Sequence, residues 1–288
     1  MRPHSTEDTV IEISLSDHSN LNCRSCDHFS PIAKPKFADL SEFQRDIEKI
    51  AELSELRLGS LYLCGGEPLL NKNIHKFLFT ARCLLPNTKL CLFTNGLLLL
   101  NTGMDKFWVA CRENAIILQL TKYPINLNFN AINNKICFEK VKLEVFQAHT
   151  DFFKYTLKPD GGCQSFPVVE CYQMNQCSVL RGGRIYMCPL SAKVEHFNTK
   201  YGHTFDIPGH DYIDIYTAQS FQEIAEFVSR PAPFCRYCDI GSRERNEWSH
   251  SYQTMDGFSC FSISGTLSIL PGIRRRLWNS IFELNSAK

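Results

Sequence analysis

The chain has 288 residues, 44% of them hydrophobic and 21% charged, with a formal net charge of +1. That is room for one large α/β domain, or one domain plus an appendage, in proportions ordinary for a packed globular protein. So small a net charge gives no electrostatic case for nucleic acid as the main partner.

Val10-Ile11-Glu12-Ile13-Ser14-Leu15 alternates apolar and polar residues, as a strand does, and runs into a loop holding Cys23 and Cys26. Leu40-Ser41-Glu42-Phe43 opens a helix with Ser41 as the expected N-cap and Phe43, Ile47, Ile50 and Leu53 on one face. Leu61-Tyr62-Leu63-Cys64 reads as a second strand, ended by Gly65-Gly66. A helix over 74–84 leads to a third strand, 89–94, ended by Asn95-Gly96. A helix over 104–112 leads to a fourth, 115–120, ended at Thr121-Lys122-Tyr123-Pro124. Strands alternating with helices imply parallel strands and right-handed crossovers, with a site at the strand C-terminal ends. The expected fold class is therefore α/β, a partial (β/α)6 TIM-like barrel.

After about residue 160 this rhythm gives way to Pro159-Asp160-Gly161-Gly162, Gly182-Gly183 and more cysteines. The sequence divides into a barrel core (1–165), a cysteine-rich and loop-rich extension held by metal (166–260), and an amphipathic tail (261–288). In the tail, Arg274-Arg275-Arg276 lies among Ile273, Leu277, Trp278, Ile281 and Phe282, as in a helix packed back on the barrel with its arginines solvated, with contact to a membrane surface the alternative. The first residues are polar and acidic where a secretory signal has a basic start and an apolar run. The Leu97–Leu100 run is far short of the about 20 residues a membrane-spanning helix needs. These features predict a cytoplasmic protein with no transmembrane segment.

Fourteen cysteines in a chain of this kind need an explanation other than a disulfide framework. Cys64, Cys83, Cys91, Cys111 and Cys137 stand singly in apolar surroundings, which predicts structural burial. The others come in spaced groups, as metal or cluster ligands do. Asn20-Leu21-Asn22-Cys23-Arg24-Ser25-Cys26 follows the first strand, Gly65-Gly66-Glu67-Pro68 ends the second, and Thr94-Asn95-Gly96 ends the third. A C-x-x-C alone is weak, since zinc ribbons share it, and GGEP alone reads as a tight turn.

Together these motifs resemble the radical S-adenosylmethionine (SAM) superfamily, whose members carry C-x-x-x-C-x-x-C after the first strand and a GGEP-type turn after the second. The resemblance implies a [4Fe–4S] cluster with one open iron, where SAM binds and is cleaved to a 5′-deoxyadenosyl radical. It makes Cys23 and Cys26 cluster ligands and assigns Gly65, Gly66 and Glu67 to the SAM amino group. Thr94, Asn95 and Thr121 become candidates for ribose or carboxylate contacts, and His28 or Phe29 for packing on the adenine.

The departure is at the first ligand, where the family has cysteine and this chain has Ser19. Three readings stand open. Ser19 replaces cysteine in an otherwise working enzyme; it is a natural substitution, with its oxygen or the His18 imidazole on iron; or the chain is a degenerate member that no longer cleaves SAM. Oxygen is a poorer partner than thiolate for such irons, which predicts a labile or missing first cluster.

Later in the chain, Cys177, Gly183, Cys188-Pro189 and Cys235-Arg236-Tyr237-Cys238 supply two separated cysteine pairs, as a four-thiolate site requires. With the barrel motifs they resemble the SPASM or twitch extension and its auxiliary [4Fe–4S] cluster. Twitch fits better, because only Cys260 follows Cys238. Cys163 and Cys171 remain alternatives to any of the four, and structural zinc an alternative to iron.

His149, His196, His203, His210 and His250 lack ligand-like spacing, while Tyr186, Tyr123 and Lys122 are candidates to line a substrate cavity. The resemblance implies an oxidoreductase that modifies a peptide, or a sugar or other small molecule, with electrons from a donor such as flavodoxin or ferredoxin. Cys26–Pro31 is similar to a segment of members associated with surface glycans. The competing expectation is a metal-stabilised binding protein without catalysis, or a structural zinc protein.

Overall fold

The computed structural model describes residues 6, 9–146, 151–158, 161–163, 171, 178–202 and 205–253. Five strands follow one another in the βα rhythm: β1 (Val10–Ser16), β2 (Ser60–Gly65), β3 (Lys89–Thr94), β4 (Ile117–Thr121) and β5 (Lys142–Phe146). They pair in parallel in chain order, with α1 (Leu40–Leu53), α2 (Ile74–Leu84), α3 (Asp105–Glu113) and α4 (Phe129–Phe138) as the crossovers. The fold is α/β with a predominantly parallel central sheet.

The sixth parallel strand, β7 (Ser178–Arg181), does not extend the sheet beyond β5 but pairs with the opposite side of β1. Antiparallel β8 (Arg184–Tyr186) and β9 (Tyr212–Asp214) complete an eight-stranded sheet. Between β5 and β7 the chain forms β6 (Asp151–Leu157), which pairs antiparallel with β10 (Cys238–Glu247) in a separate ribbon. α5 (Pro189–Tyr201) and α6 (Phe221–Val228) follow β8 and β9.

The alternation in β1 sets the two faces of the sheet. Ile11, Ile13 and Leu15 are buried in the main core with Leu61, Leu63, Leu90, Leu92, Leu118 and Leu120, against Phe43, Ile47 and Phe77 of the crossover helices. Glu12, Ser14 and Ser16 take the other face, where Lys193 of α5 is fully buried against the Ser14 hydroxyl. The Glu12 carboxylate meets His28 Nε2 at 3.0 Å. Burial pushes this carboxyl up, but His28, Cys64 and Lys193 outweigh it and hold it below the usual range. Asp17, just past β1, is buried and bidentate with Arg181, at 2.7 and 3.2 Å.

Three local expectations need correction. The cap of α1 is Asp39, whose side chain accepts from Glu42 N–H at 2.8 Å; Ser41 lies inside the first turn, and a carboxylate suits the positive helix end better. The fourth strand begins at Ile117, because Ala115 takes a left-handed turn (φ 49°) out of α3. Cys64, Cys91 and Cys111 are buried as expected, but Cys83 and Cys137 are exposed. The core-facing residues of α2 are Ile74, Phe77, Leu78 and Ala81, and those of α4 are Ile132 and Ile136, which turns both thiols outward. The tail, Cys177, Cys260, His149 and His203 lie outside the described residues.

Candidate functional site

The C-terminal ends of β1 and β2 touch at the backbone. Gly66 N–H donates to the Ser16 carbonyl at 2.8 Å, and Glu67 N–H to the His18 carbonyl at 3.0 Å. A Cβ on Gly65 would stand 2.2 Å from the Ser16 oxygen, and one on Gly66 2.2 Å from the His18 oxygen. Gly65 also has φ +131°, where side chains are rarely tolerated. Two glycines are therefore what lets the turn after β2 lie against the cysteine loop.

That contact delivers Glu67, which is 1% exposed, to the ends of the neighbouring strands. Its Oε1 accepts from Thr94 Oγ1–H at 2.8 Å and Leu69 N–H at 3.0 Å, and its Oε2 from Asn95 N–H at 2.9 Å. Burial still dominates and pushes the carboxyl up to about 7, against the pull of these donors. Asn95 Nδ2–H in turn donates to Asn20 Oδ1 at 2.8 Å, tying the end of β3 to the cysteine loop. Thr121 is buried at the end of β4.

Cys23, Cys26 and Glu67 all lie close enough to Tyr123 to act on it. Burial pushes the Cys23 thiol up to about 12, with Cys26 beside it adding to the rise; hydrogen bonds from Trp248 and Tyr123 oppose it. Burial also raises Cys26, followed by the charge of Asp27, against donors from Ser30 and His28. Tyr123 is held far above the usual phenol range by burial and then by the charges of Cys23, Cys26 and Glu67. The sequence motifs from three strand ends, plus Tyr123, thus form one constellation. Trp248 was missed because it lies 225 residues from Cys23, beyond any local pattern.

Ser19 Oγ accepts from Leu21 N–H at 3.0 Å and so shapes the loop. The His18 imidazole meets Ser16 Oγ through Nδ1 at 3.0 Å and stacks edge-on with Phe37. Ser25, between the two cysteines, has φ 60° and a buried hydroxyl with no partner among the described residues. Phe29 is fully buried in a second core with Phe197 and Phe205, and His28 is taken by Glu12, so neither ring is free to cover an adenine. Tyr186 packs on Tyr212.

The second cysteine group lies where α5 begins and where a 3-10 turn (Pro233–Tyr237) meets β10. Burial raises the Cys188 thiol to about 11, with the charge of Cys171 adding to it. Cys235 goes to about 12 through burial, then Cys188 and Cys171; Cys238 is raised by burial and then Cys188, Cys171, Cys235 and Cys163. Cys171 thus stands with Cys188, Cys235 and Cys238, and Cys163 beside Cys238. Among the described residues, no three His, Cys, Asp or Glu side chains converge on a single-ion position.

Buried thiols with raised pKa values are neutral on their own, and a metal centre supplies the positive charge that makes them thiolates. Cys23, Cys26, Cys188, Cys235 and Cys238 fit thiolate-bound iron in this respect; oxygen at position 19 fits it less well.

Over 92 residues the chain is 33% identical to a GTP 3′,8-cyclase of Clostridium perfringens (strain 13 / Type A), covering 31% of this chain and 28% of that enzyme. Over 132 residues it is 27% identical to a GTP 3′,8-cyclase of Staphylococcus epidermidis (strain ATCC 12228 / FDA PCI 1200), covering 43% and 37%. The chain spans about a third of the length of these curated relatives. No family model matches it. Among solved structures, BtrN in complex with AdoMet and 2-DOIA aligns with TM-score 0.49 and 18% identity over 80% of this chain and 92% of that one. Streptococcus suis SuiB bound to S-adenosylmethionine aligns with TM-score 0.38 and 16% identity over 48% and 33%.

Proposed function

We propose that this chain is a radical SAM enzyme whose cofactor site is the constellation of Cys23, Cys26, Glu67, Thr94, Asn95 and Tyr123. The observation that carries this reading is the convergence of buried Cys23, half-buried Cys26 and a desolvated carboxylate around Tyr123 at the C-terminal ends of parallel strands. Cys23 and Cys26 are read as ligands of a [4Fe–4S] cluster, with Ser19 at the first ligand position. When bound, such a cluster supplies the electron that cleaves the sulfonium of SAM to a 5′-deoxyadenosyl radical.

The chain's own groups prepare the place. Gly65 and Gly66 bring backbone close to the cysteine loop, and their carbonyls and Glu67 are read as holding the SAM amino group. A cation arriving at Glu67 finds a buried carboxyl raised to about 7, so pairing with it offsets the desolvation that raised it. Thr94 and Asn95 fix the orientation of that carboxylate, and Thr121 is read as a further SAM contact.

The later group is read as a twitch-like auxiliary cluster held by Cys188, Cys235 and Cys238 with Cys171. Cys177, the fourth ligand by sequence spacing, lies outside the described residues. We read the substrate as a peptide, or a sugar or other small molecule, the electron donor as a flavodoxin or ferredoxin, and the setting as cytoplasmic.

One observation favours a second reading, a metal-stabilised binding protein without catalysis. Position 19 offers iron a hydroxyl that already accepts from Leu21 N–H, and oxygen is a poorer partner than thiolate for such irons. Counting iron and labile sulfide in anaerobically reconstituted chain and in Ser19→Cys separates the two. Enzyme ancestry with a disabled first site predicts about four irons in the former and about eight in the latter. About four in both overturns the proposal, because the barrel site then fails to assemble even with its thiol.

A further inference from the structure

The strand that leaves the second cysteine group arrives at the first. β10 starts at Cys238 and runs to Glu247, and Trp248 follows directly. The next residues lie antiparallel to the cysteine loop. Arg24 N–H donates to the Ser249 carbonyl at 2.9 Å, Ser251 N–H to the Asn22 carbonyl at 2.8 Å, and Cys23 and His250 face each other between them. This pairing fixes the Trp248 backbone one residue from the strap that crosses Cys23.

From there the indole Nε1–H donates to Cys23 Sγ at 3.3 Å. The indole stands 6.0 Å from the Tyr123 ring and 4.8 Å from the His250 ring. The Tyr123 hydroxyl donates to the same sulfur. One buried sulfur therefore receives two donors, from the loop after β4 and from the end of β10. In so desolvated a place a donor aimed at sulfur counts for more than in water.

A donor on a ligating sulfur withdraws negative charge and favours the more reduced, more negative state of an iron–sulfur cluster. Resting on the function proposed above, we infer that Trp248 is a positioning residue whose indole N–H raises the reduction potential of the cluster held at Cys23. Packing alone would need only the ring. The aim of Nε1 at Sγ is the feature that packing leaves unexplained.

The test is Trp248→Phe, which keeps an aromatic ring beside Tyr123 and the backbone strap but removes the N–H. Chain and variant are compared with native Ser19 and with Ser19→Cys, by iron count and by reductive titration followed by electron paramagnetic resonance. The expected result is unchanged iron with a reduced-to-oxidised ratio about tenfold lower at a fixed potential, a downward shift of about 59 mV for a one-electron couple. The later cluster should titrate as before. An unchanged potential at unchanged iron overturns the inference. Should the phenylalanine variant lose barrel iron, Trp248→His returns a ring N–H; recovery of iron and potential sustains the inference, and no recovery overturns it. If Ser19→Cys holds no barrel iron even with Trp248 present, the function proposed above has failed and the inference falls with it, a result the iron count alone identifies.

Discussion

Glu67→Gln tests the electrostatics of the site without reference to any cofactor. The Glu67 carboxyl moves from an ordinary 4.5 to about 7 on folding, chiefly through burial. The folded state therefore holds this proton more tightly than the unfolded state, and stability falls as pH rises from about 4.5 to about 7. Linkage between these two values gives a cost of about 1 kcal/mol at pH 5.5 and about 3 kcal/mol at pH 8. Glutamine carries no such cost. It brings another at every pH, because one amide nitrogen must face a donor that the carboxylate accepted. The least harmful orientation keeps Thr94 and Leu69 on the oxygen and orphans Asn95 N–H, a loss of about 1–3 kcal/mol. The variant should therefore be destabilised at pH 5.5 and close to, or above, the parent at pH 8. The firm quantity is the change in the difference between the two chains, about 2 kcal/mol across this range. Urea unfolding of both chains at both pH values measures it, with other titrating groups cancelling in the comparison. An equal difference at the two pH values would show that Glu67 ionises like an ordinary carboxylate, and the account of a desolvated acid would be wrong.

Two further outcomes follow from the geometry. Gly66→Ala drives a Cβ to 2.2 Å from a backbone oxygen that no side-chain rotation can move, so the urea midpoint should drop by the equivalent of at least the usual overpacking cost of about 1–3 kcal/mol. An unchanged midpoint would mean that the β1 and β2 ends are not in contact. Cys171→Ser should remove most of the iron of the later group and Cys163→Ser less of it, because Cys171 neighbours Cys188, Cys235 and Cys238 and Cys163 neighbours Cys238. Iron analysis of the two single variants decides between them.

The parts of the site that were legible in the sequence are those in which a short segment does a geometric job. Gly65-Gly66 is readable because two adjacent residues without Cβ are the direct solution to a backbone approach, and Glu67 is placed by the same turn. The βα rhythm through β4 was equally readable, since each strand and helix buries its own periodic face. Two features were not. The sixth parallel strand pairs beside β1, a choice between sheet edges that depends on the whole assembled sheet and leaves no mark on Ser178–Arg181 themselves. Spacing likewise gave Cys171 only as an alternative later ligand, yet it stands beside Cys188, Cys235 and Cys238, a neighbourhood that no local spacing marks.

Trp248 belongs to this second kind, and the reason bears on how the two cysteine groups relate. β10 is paired along much of its length with β6, so it is a braced segment rather than a free linker. One end is Cys238, beside Cys171, Cys188 and Cys235; the other is followed by the residue that donates to Cys23. Metal bound at the later thiols would fix the near end of this strand and, through its ladder with β6, the far end as well. On the reading proposed above, order at the later group then bears on the sulfur of the earlier one through backbone hydrogen bonds, with no electron passing between them. A tryptophan delivered by such a strand has no sequence neighbourhood to announce it, since every residue that gives it meaning lies on another part of the chain.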